Sequence, residues 1–133
     1  MKTIFAIPIF AALFTCSAFG KASTSSSQKF DSCIESAAGV TYDNINCITA
    51  EIERQDNRLN TAYKKLLAKL TNGQQSQLKA AQRAWIVFRD KNSAYYYDPE
   101  GGTDAHMASV FKYLEMTTDR ASELELQILQ QDL

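Results

Sequence analysis

The 133-residue chain has a single histidine, His106, and it lacks the common motifs of enzymes. One histidine cannot form a His-rich metal site, and its place near a predicted helix start favours an exposed surface residue. The sequence contains no nucleophile elbow around a serine, no P-loop and no dinucleotide fingerprint. No pair of carboxylates is singled out for hydrolysis either, so we expect neither an enzyme nor a bound cofactor or metal.

An excess of charge of one sign is also absent. The chain has 14 Lys and Arg against 15 Asp and Glu, a net charge of −1. Nucleic-acid-binding domains normally carry a clear basic excess, so nucleic acid is not expected as a partner. Asp98, Glu100 and Asp104 surround two glycines, but their spacing does not fit an EF-hand loop and predicts a solvated acidic turn.

The chain has no apolar run of the length that spans a bilayer, and its longest apolar run lies at the N-terminus. Lys2 precedes an apolar run from Ile4 to Phe14, and small residues follow up to Gly20. This order is typical of a secretory signal peptide, and the run is shorter than the roughly 20 residues that span a bilayer. We predict a signal peptide over residues 1–20 and no transmembrane segment after processing; cleavage after Ala22 also fits.

Two exported forms remain open. Cys16 before a Ser-rich stretch resembles a bacterial lipoprotein processing site, although Thr15 replaces the small residue usually found there. Lipidation would anchor the protein, whereas simple cleavage would leave it periplasmic or secreted. Residues 21–29 lack large apolar side chains and are predicted to form a disordered leader, which leaves residues 30–133 as one domain.

Cysteine is scarce, with three residues in the whole chain. If Cys16 leaves with the signal, Cys33 and Cys47 are the only possible pair. An even number in an exported protein indicates a disulfide, which would tie an N-terminal arm to the first long helix and stabilise it by about 3 kcal/mol. Two free thiols are the alternative.

Apolar residues recur at helical spacing in three long segments. The first helix is predicted from an N-cap at Thr41 to a stop at Asn72 and Gly73, after a short helical turn near residues 31–37. The second runs from about Gln74 to Tyr96, and the third begins under a cap by the hydroxyl of Thr103.

The second helix is predicted to turn one apolar stripe inward: Leu78, Ala81, Trp85, Phe88 and Tyr95. No segment alternates as a strand does, and short connections favour antiparallel neighbours. The predicted fold is all-α, an antiparallel three-helix bundle with a short N-terminal helical arm tied on by the disulfide.

Four groups of residues interrupt these stripes at fixed spacings. In chain order they are Asp56, Leu59, Asn60 and Tyr63; Gln82, Trp85, Arg89 and Asp90; Gly101, Gly102 and Thr103; and Thr117, Arg120 and Leu124. Together, over about residues 33–128, they resemble the LprI-type lysozyme inhibitor family.

This resemblance implies a small, helical, secreted or envelope-bound protein without a cofactor. Its partner would be a protein, a lysozyme or other peptidoglycan hydrolase, which it binds and inhibits. An immunity or accessory protein acting on another cell-wall-degrading toxin or envelope complex is the alternative. Many members carry a further cysteine pair where this chain has Asn92, Ser93 and Tyr113, so we expect packing alone to hold the second and third helices together.

Two interpretations of the four groups remain open. Trp85, Arg89, Asp90, Arg120 and Asp56 would either fix the helices from inside or border a surface that blocks the cleft of a muramidase. The run of tyrosines at positions 95–97 cannot turn wholly inward on a helix, and an exposed tyrosine there would suit a protein contact.

The N-terminus gives the first testable prediction. Mass spectrometry of the exported protein should find a chain that begins at Lys21, or at Ser23 if cleavage follows Ala22. A chain that begins at a lipid-modified Cys16 would establish the anchored form instead, and an intact Met1 would contradict export by cleavage.

Overall fold

The computed structural model describes residues 26–133, which form four α-helices: α1 (Gln28–Ala37), α2 (Thr41–Lys69), α3 (Asn72–Tyr95) and α4 (Gly102–Gln131). No strand occurs in this part of the chain, so the predicted all-α class is confirmed. The predicted signal peptide, Cys16 and residues 21–25 lie outside the described residues. None of the four helices combines the length and apolar character needed to cross a membrane.

The three long helices alternate in direction, as a bundle with short connections requires. Late residues of α2 pair with late residues of α4, as Lys69 does with Asp132, so these two helices run parallel. Late residues of α3 meet early residues of α4, so α3 is antiparallel to both. The closest packing lies between α2 and α4, and α1 lies along the first half of α2.

The helical part begins earlier than predicted. The Ser27 hydroxyl accepts a hydrogen bond from the Phe30 backbone N–H at 3.2 Å and caps α1, which starts at Gln28. The leader prediction for residues 21–29 is therefore wrong at Gln28 and Lys29. A serine run without apolar residues suggested disorder, but serine is also one of the best N-caps.

The boundary between α2 and α3 also differs from the prediction. The Thr71 hydroxyl accepts from the Gln74 backbone N–H, and the Gln74 side chain accepts from the Thr71 backbone N–H, which is a complete capping box. Asn72 and Gly73, predicted to end the first helix, are the first two residues of α3 instead.

The N-terminus of α4 has no side-chain cap, and the backbone of two glycines forms the turn into the helix instead. Gly101 is the N-cap, and a Cβ at this position would lie 2.6 Å from the Cβ of Ala105. Gly102 has a φ of 58°, in the left-handed region that glycine adopts most easily. The predicted caps Thr103 and Thr41 both lie inside their helices.

Two apolar clusters form the core, one in each half of the bundle. The first joins α1 to the early parts of α2 and α4, and the second joins the late parts of α2 and α4. Their buried members are Phe30, Ala37, Cys47, Ile48 and Leu114 in the first, and Leu59, Ala62, Leu66, Ala121 and Leu124 in the second. Buried polar side chains lie between them.

The predicted disulfide is present. Cys33 of α1 and Cys47 of α2 are bonded, with their Cα atoms 5.7 Å apart. The bond closes a loop over 14 positions and fixes α1 against the first core cluster.

A buried carboxylate, which the sequence pattern did not indicate, provides the second link between α1 and α2. Glu51 is 1% exposed and accepts hydrogen bonds from the Ser27 hydroxyl at 2.6 Å, the Ser27 backbone N–H, Arg54 and Gln55. Burial raises the pKa of Glu51, but these donors together outweigh it, so the pKa lies below its usual value.

Replacing Glu51 tests this link and its pH dependence. Because folding lowers the Glu51 pKa, its stabilisation is present above the ordinary value of 4.5 and is lost as the pH falls through the lowered value. Glu51→Gln should lower the free energy of unfolding by about 2 kcal/mol at pH 7. In urea unfolding, the difference from the unaltered chain should shrink towards about pH 2.

The exposed neighbour Glu53 offers a matched control. Glu53→Gln should change stability by less than about 0.5 kcal/mol at either pH. A Glu51→Gln effect that does not change with pH would contradict the assignment of a stabilising, ionised Glu51.

Candidate functional site

The polar layer between the two core clusters is centred on Arg89 of α3. Its side chain is about nine-tenths buried, and its guanidinium reaches all three long helices. Nη1 donates to Asp56 Oδ1 of α2 at 3.2 Å and to Thr117 Oγ1 of α4 at 3.5 Å, while Nε donates to Asp90 Oδ1 at 3.1 Å. The cation is thus paired with one carboxylate from α2 and one from its own helix.

Aromatic rings cover the faces of this guanidinium. The Arg89 Cζ lies 3.9 Å from the ring centroid of Tyr113 on α4 and 5.0 Å from that of Trp85 on α3. Both distances allow a cation–π attraction, which is strongest where water is excluded. Burial raises the pKa of the Tyr113 phenol and the Arg89 charge offsets only part of this, so Tyr113 stays neutral at physiological pH.

A second arginine extends the layer along α4. Arg120 Nε donates to Gln82 Oε1 of α3 at 3.0 Å, and its Nη1 donates to Glu123 at 2.7 Å. Its Cζ lies 5.9 Å from the Trp85 ring. The indole of Trp85 therefore lies near two guanidinium groups, and the Arg120–Gln82 bond joins α3 to α4.

The four sequence groups do not all meet at this layer. The polar network contains Asp56, Gln82, Trp85, Arg89, Asp90, Thr117 and Arg120. Leu59 and Leu124 are buried in the second core cluster, and Tyr63 is partly buried against it. Asn60 is exposed. Gly101, Gly102 and Thr103 lie at the turn into α4 and do not belong to the network.

Tyr113 belongs to the network, although sequence reasoning treated it only as a replacement for a cysteine. It lies four residues before Thr117, on the same face of α4, and the Thr117 hydroxyl donates to its backbone carbonyl. Residues four apart on a helix are neighbours on its surface, so this spacing from Thr117 could have indicated that Tyr113 belongs to the network.

The inner face of α3 differs from the predicted stripe. The buried residues of this helix are Gln82, Arg89 and Ser93, all polar, whereas the predicted Ala81, Phe88 and Tyr95 are exposed. The helical period was right, and Leu78 and Trp85 of the predicted stripe do pack against the second core cluster, but the rest of the inner face is polar. The paired polar groups turn inward because their partners on α2 and α4 satisfy them there.

Polar contacts also join α3 to α4 at the positions that the sequence analysis compared with a second cysteine pair. Ser109 Oγ donates to the Ser93 backbone carbonyl at 2.9 Å, and Asn92 Nδ2 lies 3.2 Å from Met116 Sδ. The expectation that packing alone holds these helices together is therefore wrong.

The network is arranged for structure. The Arg89 guanidinium is directed at its protein partners, although Trp85 and Arg120 also border a shallow groove on the surface. A buried guanidinium with partners on three helices permits only one register. No group of His, Cys, Asp or Glu between residues 26 and 133 could hold a metal ion. The geometry favours the interpretation in which these residues fix the bundle from inside.

Truncating Arg89 tests that interpretation. Arg89→Ala should lower the free energy of unfolding by about 3 kcal/mol, because it leaves Asp56 and Thr117 without their partner and opens a void beside Tyr113. Arg83→Ala, which removes an exposed arginine from the same helix, should cost less than about 0.5 kcal/mol. Equal losses in urea unfolding would contradict a structural role specific to Arg89.

The arrangement can be compared with known proteins. Searches of curated proteins and of solved structures give no significant match. A family model described as "Lysozyme inhibitor LprI" matches residues 33–124, from the first cysteine of the disulfide to the buried leucine that ends the fourth sequence group. This match covers more than half of the chain and includes the whole polar network, so the protein belongs to the LprI lysozyme inhibitor family.

Proposed function

We propose that this protein is exported and that it binds and inhibits a lysozyme-like peptidoglycan hydrolase. The observation that carries the proposal is the family match over residues 33–124, since the family is described by this activity. In this function the chain is a binding module, and it performs no chemical step on a substrate. Inhibition would follow from occupying or covering the cleft of the hydrolase.

Features of the fold support a role as a rigid binder. The Cys33–Cys47 bond and the Arg89 network fix α1 and α3 against the central pair of helices. A surface held in one conformation loses little entropy on association, which favours affinity. The disulfide also suits an oxidising compartment, as expected if residues 1–20 direct the chain to the periplasm or the medium.

A cell-wall lysis assay tests the proposal. The mature chain, residues 21–133 with the disulfide formed, should slow the clearing of a cell-wall suspension in proportion to its concentration. Inhibition should saturate near a simple molar ratio to the lysozyme, as for a protein that blocks an enzyme by binding. Undiminished lysis at a large molar excess, across several lysozyme types, would contradict the proposal.

Two further results refine the assay. A folded Arg89→Ala variant, assayed below its unfolding midpoint, should keep its inhibition if the network acts only inside the bundle. Protection of cells against one delivered cell-wall-degrading toxin, without any effect on lysozymes, would instead support an immunity protein.

A further inference from the structure

An apolar cleft opens at one end of the bundle, away from the Arg89 network. It has a volume of about 540 Å³ and lies between α1, α2 and α4, with the end of α3 at its rim. Its apolar lining comes from Ile34, Ile48, Met107, Ala108, Phe111 and Tyr96. Asn44 also lines it, and Asn44 Oδ1 is buried without a hydrogen-bond partner among the described residues. The cleft is large enough for one or two side chains of a partner protein.

Exposed aromatic and apolar side chains are concentrated at this end of the bundle, and Tyr96 and Phe111 among them line the cleft. Six of the large hydrophobic residues exposed on the described part of the chain belong to this end: Val40, Tyr42, Tyr95, Tyr96, Tyr97 and Phe111. Tyrosine is enriched at protein interfaces because it offers a large contact area and a polar tip at a low entropic cost. The ring contact between Tyr97 and His106 holds one of these side chains in place.

The two stretches of chain that form this end carry charge of one sign, and Asp104 among their carboxylates lines the cleft. Residues 30–50 and 95–108, which we call the acidic end, contain six carboxylates and neither lysine nor arginine. These carboxylates are all exposed: Asp31, Glu35, Asp43, Asp98, Glu100 and Asp104. The nearest lysine in the cleft wall, Lys112, is paired with Glu115 at 2.8 Å.

The opposite end of the bundle has a mixed charge. Residues 60–84, at the α2–α3 connection, contain five lysines and arginines and no carboxylate. The late part of α4 lies beside them and contains Glu123, Glu125 and Asp132, so these cations are partly balanced, as Lys69 is by Asp132, whereas the acidic end contains no lysine or arginine. Such a distribution orients a protein as it approaches a charged partner.

Helix dipoles explain only half of the acidic residues. Asp31, Asp43 and Asp104 lie in the first turns of α1, α2 and α4, where negative charge is favoured locally. Glu35 lies near the end of α1, where the dipole disfavours it, and Asp98 and Glu100 lie in the α3–α4 turn. Helix dipoles therefore do not account for these three, and the one local bond among them, from the Glu100 backbone N–H to Asp98 Oδ1 at 2.9 Å, can be kept by an asparagine.

We propose that the cleft and the exposed carboxylates of the acidic end form the docking surface for a basic protein, with an apolar side chain of that partner seated in the cleft. The inference deepens the proposed function and rests on it, since the partner is taken to be a lysozyme of basic charge. The carboxylates would orient the approach, and Phe111, Tyr96 and Met107 would provide the apolar contact.

Neutralising the carboxylates that no helix dipole favours tests the electrostatic part. The triple variant Glu35→Gln, Asp98→Asn, Glu100→Gln should bind an immobilised basic lysozyme with an association rate about tenfold lower at low salt, and with a weaker dependence on salt. The control triple Glu53→Gln, Gln77→Lys, Gln130→Lys changes the net charge equally at exposed positions outside the acidic end and should lower the rate less than about threefold.

Two exposed phenylalanines provide a matched pair for the cleft. Phe111, 52% exposed at the cleft, and Phe88, 59% exposed on α3, can each be replaced by alanine without opening the core. Phe111→Ala should raise the dissociation rate about tenfold, while Phe88→Ala should leave it within about twofold.

The outcomes separate the two proposals. The docking surface would be overturned if inhibition and binding fell equally in both triple variants and in both phenylalanine variants. It would also be overturned if they fell in none of these variants. Either result would leave the inhibitor function intact. Binding that depends on the acidic end and Phe111, with lysis undiminished, would support the surface and overturn inhibition. Salt-sensitive self-association of the unaltered chain, lost in the acidic-end triple, would overturn the inference by identifying a second copy as the occupant.

Discussion

The position of α3 depends on one buried cation. The helix buries no large apolar side chain fully, and only Leu78 and Trp85 contribute partly to the second core cluster. A guanidinium withdrawn from water is costly unless its charge and its N–H groups find partners, and Arg89 finds them on α2 and α4 as well as on α3. A one-residue rotation or shift of α3 would separate these partners. The layer therefore determines which face of α3 is inside, and so which side chains remain on the surface.

This dependence explains which buried residues could be predicted from the sequence and which could not. On α2 and α4 the apolar spacing predicts the buried leucines at positions 59, 66, 114 and 124, although Phe111, expected in the same inner stripe of α4, is 52% exposed. On α3 the spacing predicts Leu78 and Trp85 correctly but misses the polar part of the inner face, since hydrophobic periodicity carries no information on polar groups that pair across helices. The family motif did identify Arg89, Asp56 and Thr117, but only the coordinates show that they meet.

Some features could not be predicted because they depend on contacts distant in sequence. Glu51 has the appearance of a surface carboxylate on an amphipathic helix, and its burial follows from Ser27, 24 residues earlier, and from the disulfide that brings α1 near. The capping box at Thr71 was visible in the sequence, yet the Asn72–Gly73 pair suggested a helix stop more strongly. The lack of lysine and arginine in residues 30–50 and 95–108 was also present in the sequence. It became meaningful only when the parallel arrangement of α2 and α4 placed residues 30–50 beside residues 95–108.

The covalent link between Cys33 and Cys47 makes the shape of the cleft dependent on redox state. Ile34, the α1 residue in the cleft wall, is adjacent to Cys33. Disulfides persist in oxidising compartments and are reduced in the cytosol. In a reduced chain, noncovalent contacts such as the Ser27–Glu51 hydrogen bonds and the packing of Phe30 alone would hold this wall. The α1 wall of the cleft thus gains its full mechanical support only after oxidation, so the molecule is most completely assembled in an oxidising compartment.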